Sequence, residues 1–542
     1  MHGPLLSPLP SLTRHSPREF GWALALLALL AFGVRAYTFG NPVIGYDEQF
    51  YLLVGDRMLH GAIPYVDIFD RKPVGLFLVY AGVRLLGGDG FLVYKLVAAC
   101  VVALTAGGVF CLARRRAGFL GALCAAILFI LWHNFMGGEG GQAPVFYDLF
   151  MAAAALCMVV AIDRPARLRA LGVAAMLATG IALQIKYSVL FEGVYFGCAL
   201  IWLAVRGGQR AGVLAGSITL WIGAALLPTL AALGVYAAMG QADAFIFANF
   251  LSVLAQGRNP MMTQLRDLAE IGAILSPLLI LLAVSLRRRQ DGETDAAGWF
   301  IIGWLVASVV GVLAFWRFNS PHYALPVLVP LTIWLAPLFD RMPRRAVGLV
   351  GLATVMSQLV LIANERRVGG APEAARLAQA AQAGSGCIYV YAGYPALYML
   401  TGSCLPSRWA FPGTLNMRDE QRPDAIGTDP AGEVHRILAG GVPVIVDEYP
   451  RNTDGNPATR AVLDHALAAD YVLAACPATG EGRAQLVYRR KRPGEAARPA
   501  SCAMVAPAPT VLVGHDPESG GVRKAPVTGD LARVAQRLAA GL

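Results

Sequence analysis

The chain of 542 residues is 56% apolar and 15% charged, with a mean hydropathy of +0.54 and a net charge of +10. This composition excludes an ordinary soluble domain and a disordered chain, and marks an integral membrane protein. The arginine excess falls in connections between apolar runs, so it reports topology and gives no reason to expect a nucleic-acid partner.

A polar segment over 1–19, carrying Arg14 and Arg18, precedes the apolar run Phe20 to Phe39. The run is long enough to span and lacks a small-residue cleavage site, so it reads as a retained first helix. At roughly 20 apolar residues per span, about eleven helices are predicted. They lie near 20–39, 91–112, 118–134, 147–162, 170–186, 188–205, 211–239, 269–286, 297–316, 323–339 and 346–363.

With the N-terminus in the cytoplasm, alternate connections carry the arginines. These are Arg114, Arg115 and Arg116; Arg164, Arg167 and Arg169; Arg206 and Arg210; Arg287, Arg288 and Arg289; and Arg341, Arg344 and Arg345. The positive-inside rule is met at each turn. The same parity places 40–90, 135–146, the turn at Lys186, 240–268, Arg317–His322 and everything after Asn364 on the outer side. Val74 to Leu86 is too short to span and suits an amphipathic helix lying at the interface.

Beyond Asn364 the hydropathy falls and short β-rich runs appear at 387–392, 442–448, 471–476 and 485–490. They predict a small outer α/β domain over 364–490. The Pro-, Ala- and Gly-rich stretch 491–542 reads as a flexible tail, closing on a short amphipathic helix at 529–541. No internal repeat is evident. Cys100, Cys111, Cys124, Cys157 and Cys198 fall inside predicted spans, as small buried apolar residues. Cys387, Cys404, Cys476 and Cys502 lie beyond them, where an oxidising compartment permits disulfides, with Cys387 and Cys404 the first pair to consider. No metal-ligand spacing, P-loop or Asp-x-Asp motif is present. Gly138-Glu139-Gly140-Gly141-Gln142-Ala143 matches a dinucleotide fingerprint by letters, but it follows a membrane helix rather than a strand and reads as a loop.

The first outer loop, Tyr46 to Gly75, packs two carboxylate clusters and the Arg71-Lys72 pair between apolar segments, and charge beside a bilayer is costly unless it binds or reacts. Its Asp47-Glu48 pair, Tyr51, Met58-Leu59 with Gly61 and Pro64, and then Lys72-Pro73 resemble the first outer loop of the GT-C glycosyltransferases. Among these the chain is most similar to the bacterial family 39-like group of protein O-mannosyltransferases and the lipid A aminoarabinose transferase. Arg35, Asp148, Lys186, and Arg317 with His322-Tyr323 also match habits of that superfamily. The resemblance covers roughly residues 20–340.

It implies a GT-C fold, an α-helical polytopic membrane domain over 20–363 followed by a small extracytoplasmic α/β domain. It also implies transfer of a sugar from a polyprenyl-phosphate donor to an envelope lipid, glycan or protein, on the periplasmic face of the bacterial inner membrane. Polyprenyl phosphate is a competent leaving group, so such an enzyme needs cations to hold it; Arg71 and Lys72 suit this role, with Lys186, Arg317 and His322 as further candidates. An acceptor hydroxyl needs a base opposite the phosphate, which gives inversion. Asp47 is the first candidate for that base, with Glu48 and Asp148 as further catalytic carboxylates and Glu139 a weaker one. Helix capping is the competing explanation for Asp47 and Asp148, and snorkelling to the membrane surface for the lysines. If the acceptor is a phosphate, no strong base is required and Asp47 would instead bind sugar hydroxyls.

No organic cofactor is indicated, and superfamily members differ over a divalent metal. The alternative function is a transporter or flippase of lipid-linked glycans, which should show broken helices or inverted repeats near mid-membrane. A non-catalytic sensor presenting the outer domain would leave the charged first loop without a purpose.

Overall fold

The computed structural model describes residues 17–287, 295–493 and 495. Arg14, Arg288, Arg289, Cys502 and the helix expected at 529–541 lie outside the described residues.

Among the described residues, ten helices are long and apolar enough to cross a membrane: Arg18–Thr38, Gly90–Ala113, Ala143–Asp163, Pro165–Leu183, Tyr187–Arg206, Ala211–Ala238, Met261–Arg287, Ala296–Phe315, Pro321–Arg341 and Pro343–Ala380. The chain is a multi-pass membrane protein. In lipid every backbone polar group must be paired within its own segment, and a helix does this. The eleventh expected span is the helix Phe119–Phe135, with 17 residues. It packs against the helices Gly90–Ala113, Leu328–Arg341 and Pro343–Val368. Ala211–Ala238 turns Leu220, Ile222, Leu227 and Leu230 outward, the pattern of a helix whose solvent is lipid. Cys124 is buried as expected, whereas Cys100 and Cys198 are exposed on the bundle surface.

The segment expected as a loop over 240–268 is largely helical. It contains Ala242–Ile246, a π-helical turn Phe247–Leu251 and Ser252–Ala255, after which the next spanning helix begins at Met261 rather than 269. Gln264, Arg266, Asp267 and Glu270 interrupt the hydropathy there. Most of these residue types form helix well, so the hydropathy marks the apolar part of the helix and not its beginning.

The C-terminal sheet has strands β1 (Ile388–Val390), β2 (Val444–Tyr449), β3 (Tyr471–Ala475), β4 (Ala478–Gly480) and β5 (Arg483–Arg490), in the order β1-β2-β5-β3 with β4 paired to β5. β1 and β2 are parallel, with Ile388 opposite Val444 and Val390 opposite Val446; β5 runs antiparallel to its neighbours. β4 has too few residues to show alternation and was not expected from the sequence. The strand predicted at 387–392 is trimmed to three residues. Cys387 and Cys404 form a disulfide across a separation of 17 residues, a loop whose closure in the unfolded chain contributes about 3 kcal/mol.

The 40–90 segment docks on this sheet region. Gln49 Oε1 accepts from the Ala396 N–H at 3.2 Å, Arg57 Nη2 donates to the Ser403 carbonyl at 2.6 Å, and the Phe69 N–H donates to the Arg408 carbonyl at 2.8 Å. The Gly257 N–H joins the Asp419 carbonyl at 2.9 Å. At the other ends of the helices the basic connections gather: Arg115 pairs with Asp163, and Asp340 accepts from the Gly118 and Gly121 N–H groups.

Candidate active site

Gly45 caps the helix Tyr46–Leu59 with φ 87°, and a Cβ there would lie 2.8 Å from the Glu48 carboxyl. Glycine is the residue that accepts both demands. Asp47 and Glu48 therefore occupy the first turn, and the N-cap role considered for Asp47 belongs to Gly45. Adjacent helical side chains diverge by about 100°. Asp47 is half-buried, while Glu48 is 1% exposed and packs on the glycine loop, where a Cβ on Gly140 would meet its Oε1 at 2.7 Å. That closeness, together with Gly141 under the Tyr80 hydroxyl, explains the glycines at 138–141 without a dinucleotide. Gln142 Nε2 donates to Asp47 Oδ2 at 3.3 Å and to Glu48 Oε2 at 3.2 Å.

The two carboxyls differ in protonation. Burial pushes Asp47 up, but Lys72, His322, the Gln142 donor and Lys186 outweigh it and hold the group below its ordinary value. Burial and then the charge of Asp47 push Glu48 up to about 8. At neutral pH Asp47 is ionised and Glu48 carries its proton.

Lys72 directly precedes Pro73, the cap of the short helix Val74–Leu85. Its backbone is fixed by its N–H to Asp70 Oδ1 at 3.0 Å and by the Tyr65 hydroxyl to its carbonyl at 2.7 Å. The ammonium lies 5.5 Å from the Tyr51 ring centre. Burial lowers its pKa, but Asp70 and Asp47 bring it above the ordinary value. Lys186 sits in the turn between two spanning helices, its Nζ 4.3 Å from the Tyr323 ring centre. Burial and then Lys72 pull it down to about 7, against Asp47 and Asp148.

The two arginines are differently employed. Arg71 spends four of its five donors on Glu420 (two bonds of 2.6 Å), Ser252 Oγ (2.6 Å) and the Ala425 carbonyl (2.7 Å). It ties the first loop to the sheet region and has little left for a phosphate. Arg317 donates to the Gly257 carbonyl at 3.1 Å and faces Asp419 at 3.5 Å. His322 is buried, hydrogen-bonded to Ser320 Oγ at 2.7 Å and stacked on Tyr323.

Asp148 does not cap its helix, which begins at Ala143 with Pro144 in the first turn. Its Oδ2 is buried without a hydrogen-bond partner, with Lys186 and Glu192 nearby. Beside it a narrow cleft is lined by Lys186, Ser188, Glu192, Ser308, Arg317 and Tyr323. Glu139 stands behind Glu48, accepts from Asn364 Nδ2 at 3.3 Å, and faces the buried Arg35. Gln142 and Glu192 were not singled out from the sequence. An acid within an apolar run is a signal that could have flagged Glu192; the Gln142 contact had none. Among the described residues, no three His, Cys, Asp or Glu side chains come together to hold a metal.

A carboxylate in the field of two ammonium groups, one of which lines a cleft, can take a proton from a hydroxyl and hold an anion. No family model matches the sequence, and no curated protein matches it significantly. Among solved structures, the chain is similar to ArnT from Cupriavidus metallidurans bound to undecaprenyl phosphate, at 15% identity and a TM-score of 0.59 over 86% of this chain and 98% of that one. The apo state of the same protein gives 16% identity and a TM-score of 0.57, with the same coverage. At such identities the likeness speaks for architecture: the chain has the GT-C fold, an α-helical polytopic membrane domain carrying a small C-terminal α/β region.

Proposed function

We propose that the chain is an inverting membrane glycosyltransferase that takes a sugar from a polyprenyl-phosphate carrier and gives it to an envelope lipid, glycan or protein. The observation that carries this reading is that Asp47, in the first turn of its helix, lies in the field of Lys72 and Lys186, whose ammonium groups rest over the Tyr51 and Tyr323 rings and donate no hydrogen bond to another described residue. The GT-C architecture shared with an ArnT structure bound to undecaprenyl phosphate supports a lipid-phosphate donor. The Cys387–Cys404 disulfide and the arginines at the opposite helix ends support a periplasmic site on a bacterial inner membrane.

In this reading the acceptor hydroxyl lies against Asp47 and attacks the anomeric carbon from the face opposite the phosphate. Its proton passes to Asp47, the glycosidic bond to phosphate breaks with its electron pair, and Lys72 and Lys186 hold the departing polyprenyl phosphate. Arg71 and Arg317 act at one remove, fixing the first loop and the 412–426 segment around the cleft. Asp148 and Glu192 supply acceptors for hydroxyls of the donor sugar. The gathering of polar groups at one face favours transfer over the transport alternative.

The test is incubation of the purified protein in lipid bilayers with a panel of polyprenyl-phosphate sugars and envelope extracts as acceptor. Donor-dependent release of polyprenyl phosphate with a new glycosidic product is expected. If no donor turns over while the protein is folded, the reading fails.

A further inference from the structure

The sheet region holds a second cleft, of about 120 Å³, whose lining includes Tyr391, Asn416, Asp447, Asn452 and Arg460 and none of the site residues described above. Strand β2 supplies Asp447, and the short helix Pro412–Asn416 supplies Asn416 at its end. These side chains are 1% and 9% exposed, and in each one oxygen, Asp447 Oδ1 and Asn416 Oδ1, accepts no hydrogen bond. Their other polar atoms are occupied. Asp447 Oδ2 accepts from Arg460 Nη1 at 2.7 Å, and Asn416 Nδ2 donates to the Tyr391 carbonyl at 2.6 Å. Buried acceptors without donors are costly, so a ligand bringing hydrogen-bond donors to this floor gains what the protein alone forgoes.

Charge narrows the class of ligand. Asp447 is met by Arg460, Asp464 by Arg451 and Arg460, and Glu448 by Arg483. The acids and bases balance, leaving no net charge to attract an ammonium or a phosphate. A neutral molecule rich in hydroxyls fits this mixture of fixed amide, carboxylate and guanidinium groups.

Position narrows its purpose. Asn416 is four residues from Glu420, at most ~14 Å along the chain. Glu420 holds Arg71 and Asp419 faces Arg317, so one short segment reaches from this cleft to the membrane site. We infer that the cleft is a carbohydrate subsite for a neutral sugar unit of the acceptor. The word acceptor rests on the proposed transferase function; the sugar binding does not.

Binding is measured on the full chain in a detergent without sugar headgroups, by saturation-transfer NMR. The probes are methyl glycosides of glucose, mannose, galactose and arabinose, with glucosamine and glucose 1-phosphate as charged counterparts. Saturable binding of at least one neutral glycoside is expected, weakened tenfold or more both in Asp447→Asn and in Asn452→Trp, which fills the exposed rim. Asp47→Asn should bind as wild type does. Should Asp447→Asn fail to fold, Asn452→Trp alone decides. Absence of neutral-sugar binding, indifference to the rim variant, or a charged probe bound tenfold more tightly than the neutral ones would overturn the inference. No donor is present in this assay, so a failed transfer reaction and a failed subsite are told apart.

Discussion

Asp47 and Glu48 share one amide donor, Gln142 Nε2, at 3.3 and 3.2 Å, and yet burial and mutual repulsion leave one ionised and the other protonated at neutral pH. Glu48→Gln replaces a neutral acid with a neutral amide and should keep kcat within about threefold of wild type at pH 7, far from the 10²–10⁴-fold loss of a general base. Above its value of about 8, Glu48 ionises beside Asp47. The wild type should therefore lose more activity than the variant on that alkaline limb, the loss common to both coming from Lys186. Profiles of kcat against pH for the two proteins decide it.

Lys186, at about 7 in the free protein, is charged below neutrality and discharges as pH rises. A cation that binds the donor phosphate only when protonated makes the donor KM rise with pH above about 7. Lys186→Arg keeps its charge throughout and should flatten that limb of the KM profile.

The Arg71–Glu420 pair, with side chains 15% and 8% exposed, is a tie between loop and sheet region. Removing either partner strands the other, at a cost of roughly 3 kcal/mol. Arg71→Ala and Glu420→Ala should each lower the melting temperature, and the double variant should fall little further. Lys72→Ala should act differently, leaving the melting temperature near wild type and raising donor KM by about 10–100-fold, as losing a charge-assisted hydrogen bond implies. Melting curves beside KM values separate the roles.

Gly140→Ala places a methyl 2.7 Å from Glu48 Oε1. Overpacking of this kind costs about 1–3 kcal/mol, and the strain falls on the helix that carries Asp47. A lower melting temperature together with reduced kcat is expected. Unchanged values of both would show that the loop yields freely.

The spanning helices were legible because lipid imposes one rule on every segment, and Arg114 to Arg116 or Arg341 to Arg345 mark their ends in the sequence itself. The first-loop cluster was legible for the same reason, since charges such as Asp47 and Lys72 stand out between apolar runs. The occupation of Arg71 was not, because Glu420 lies 349 residues away and no local pattern announces such a pairing. Nor could spacing show that Gln142 returns to Asp47, or that the helix bearing Asp148 begins early enough to remove its capping role. The helical stretch over 242–255 is apolar but too short to span, so a reading tuned to spans of roughly 20 residues passes it over, and β4 was missed because three residues show no period.

The most direct measurement is single-turnover sugar transfer by purified wild type and Asp47→Asn, using a polyprenyl-phosphate donor that the wild type accepts and a hydroxyl acceptor. Loss of the chemical step by at least 10²-fold, with donor affinity retained within a few-fold, is the expected result. Transfer at the wild-type rate by the folded variant would contradict Asp47 as the base, and with it the chemistry assigned to this site.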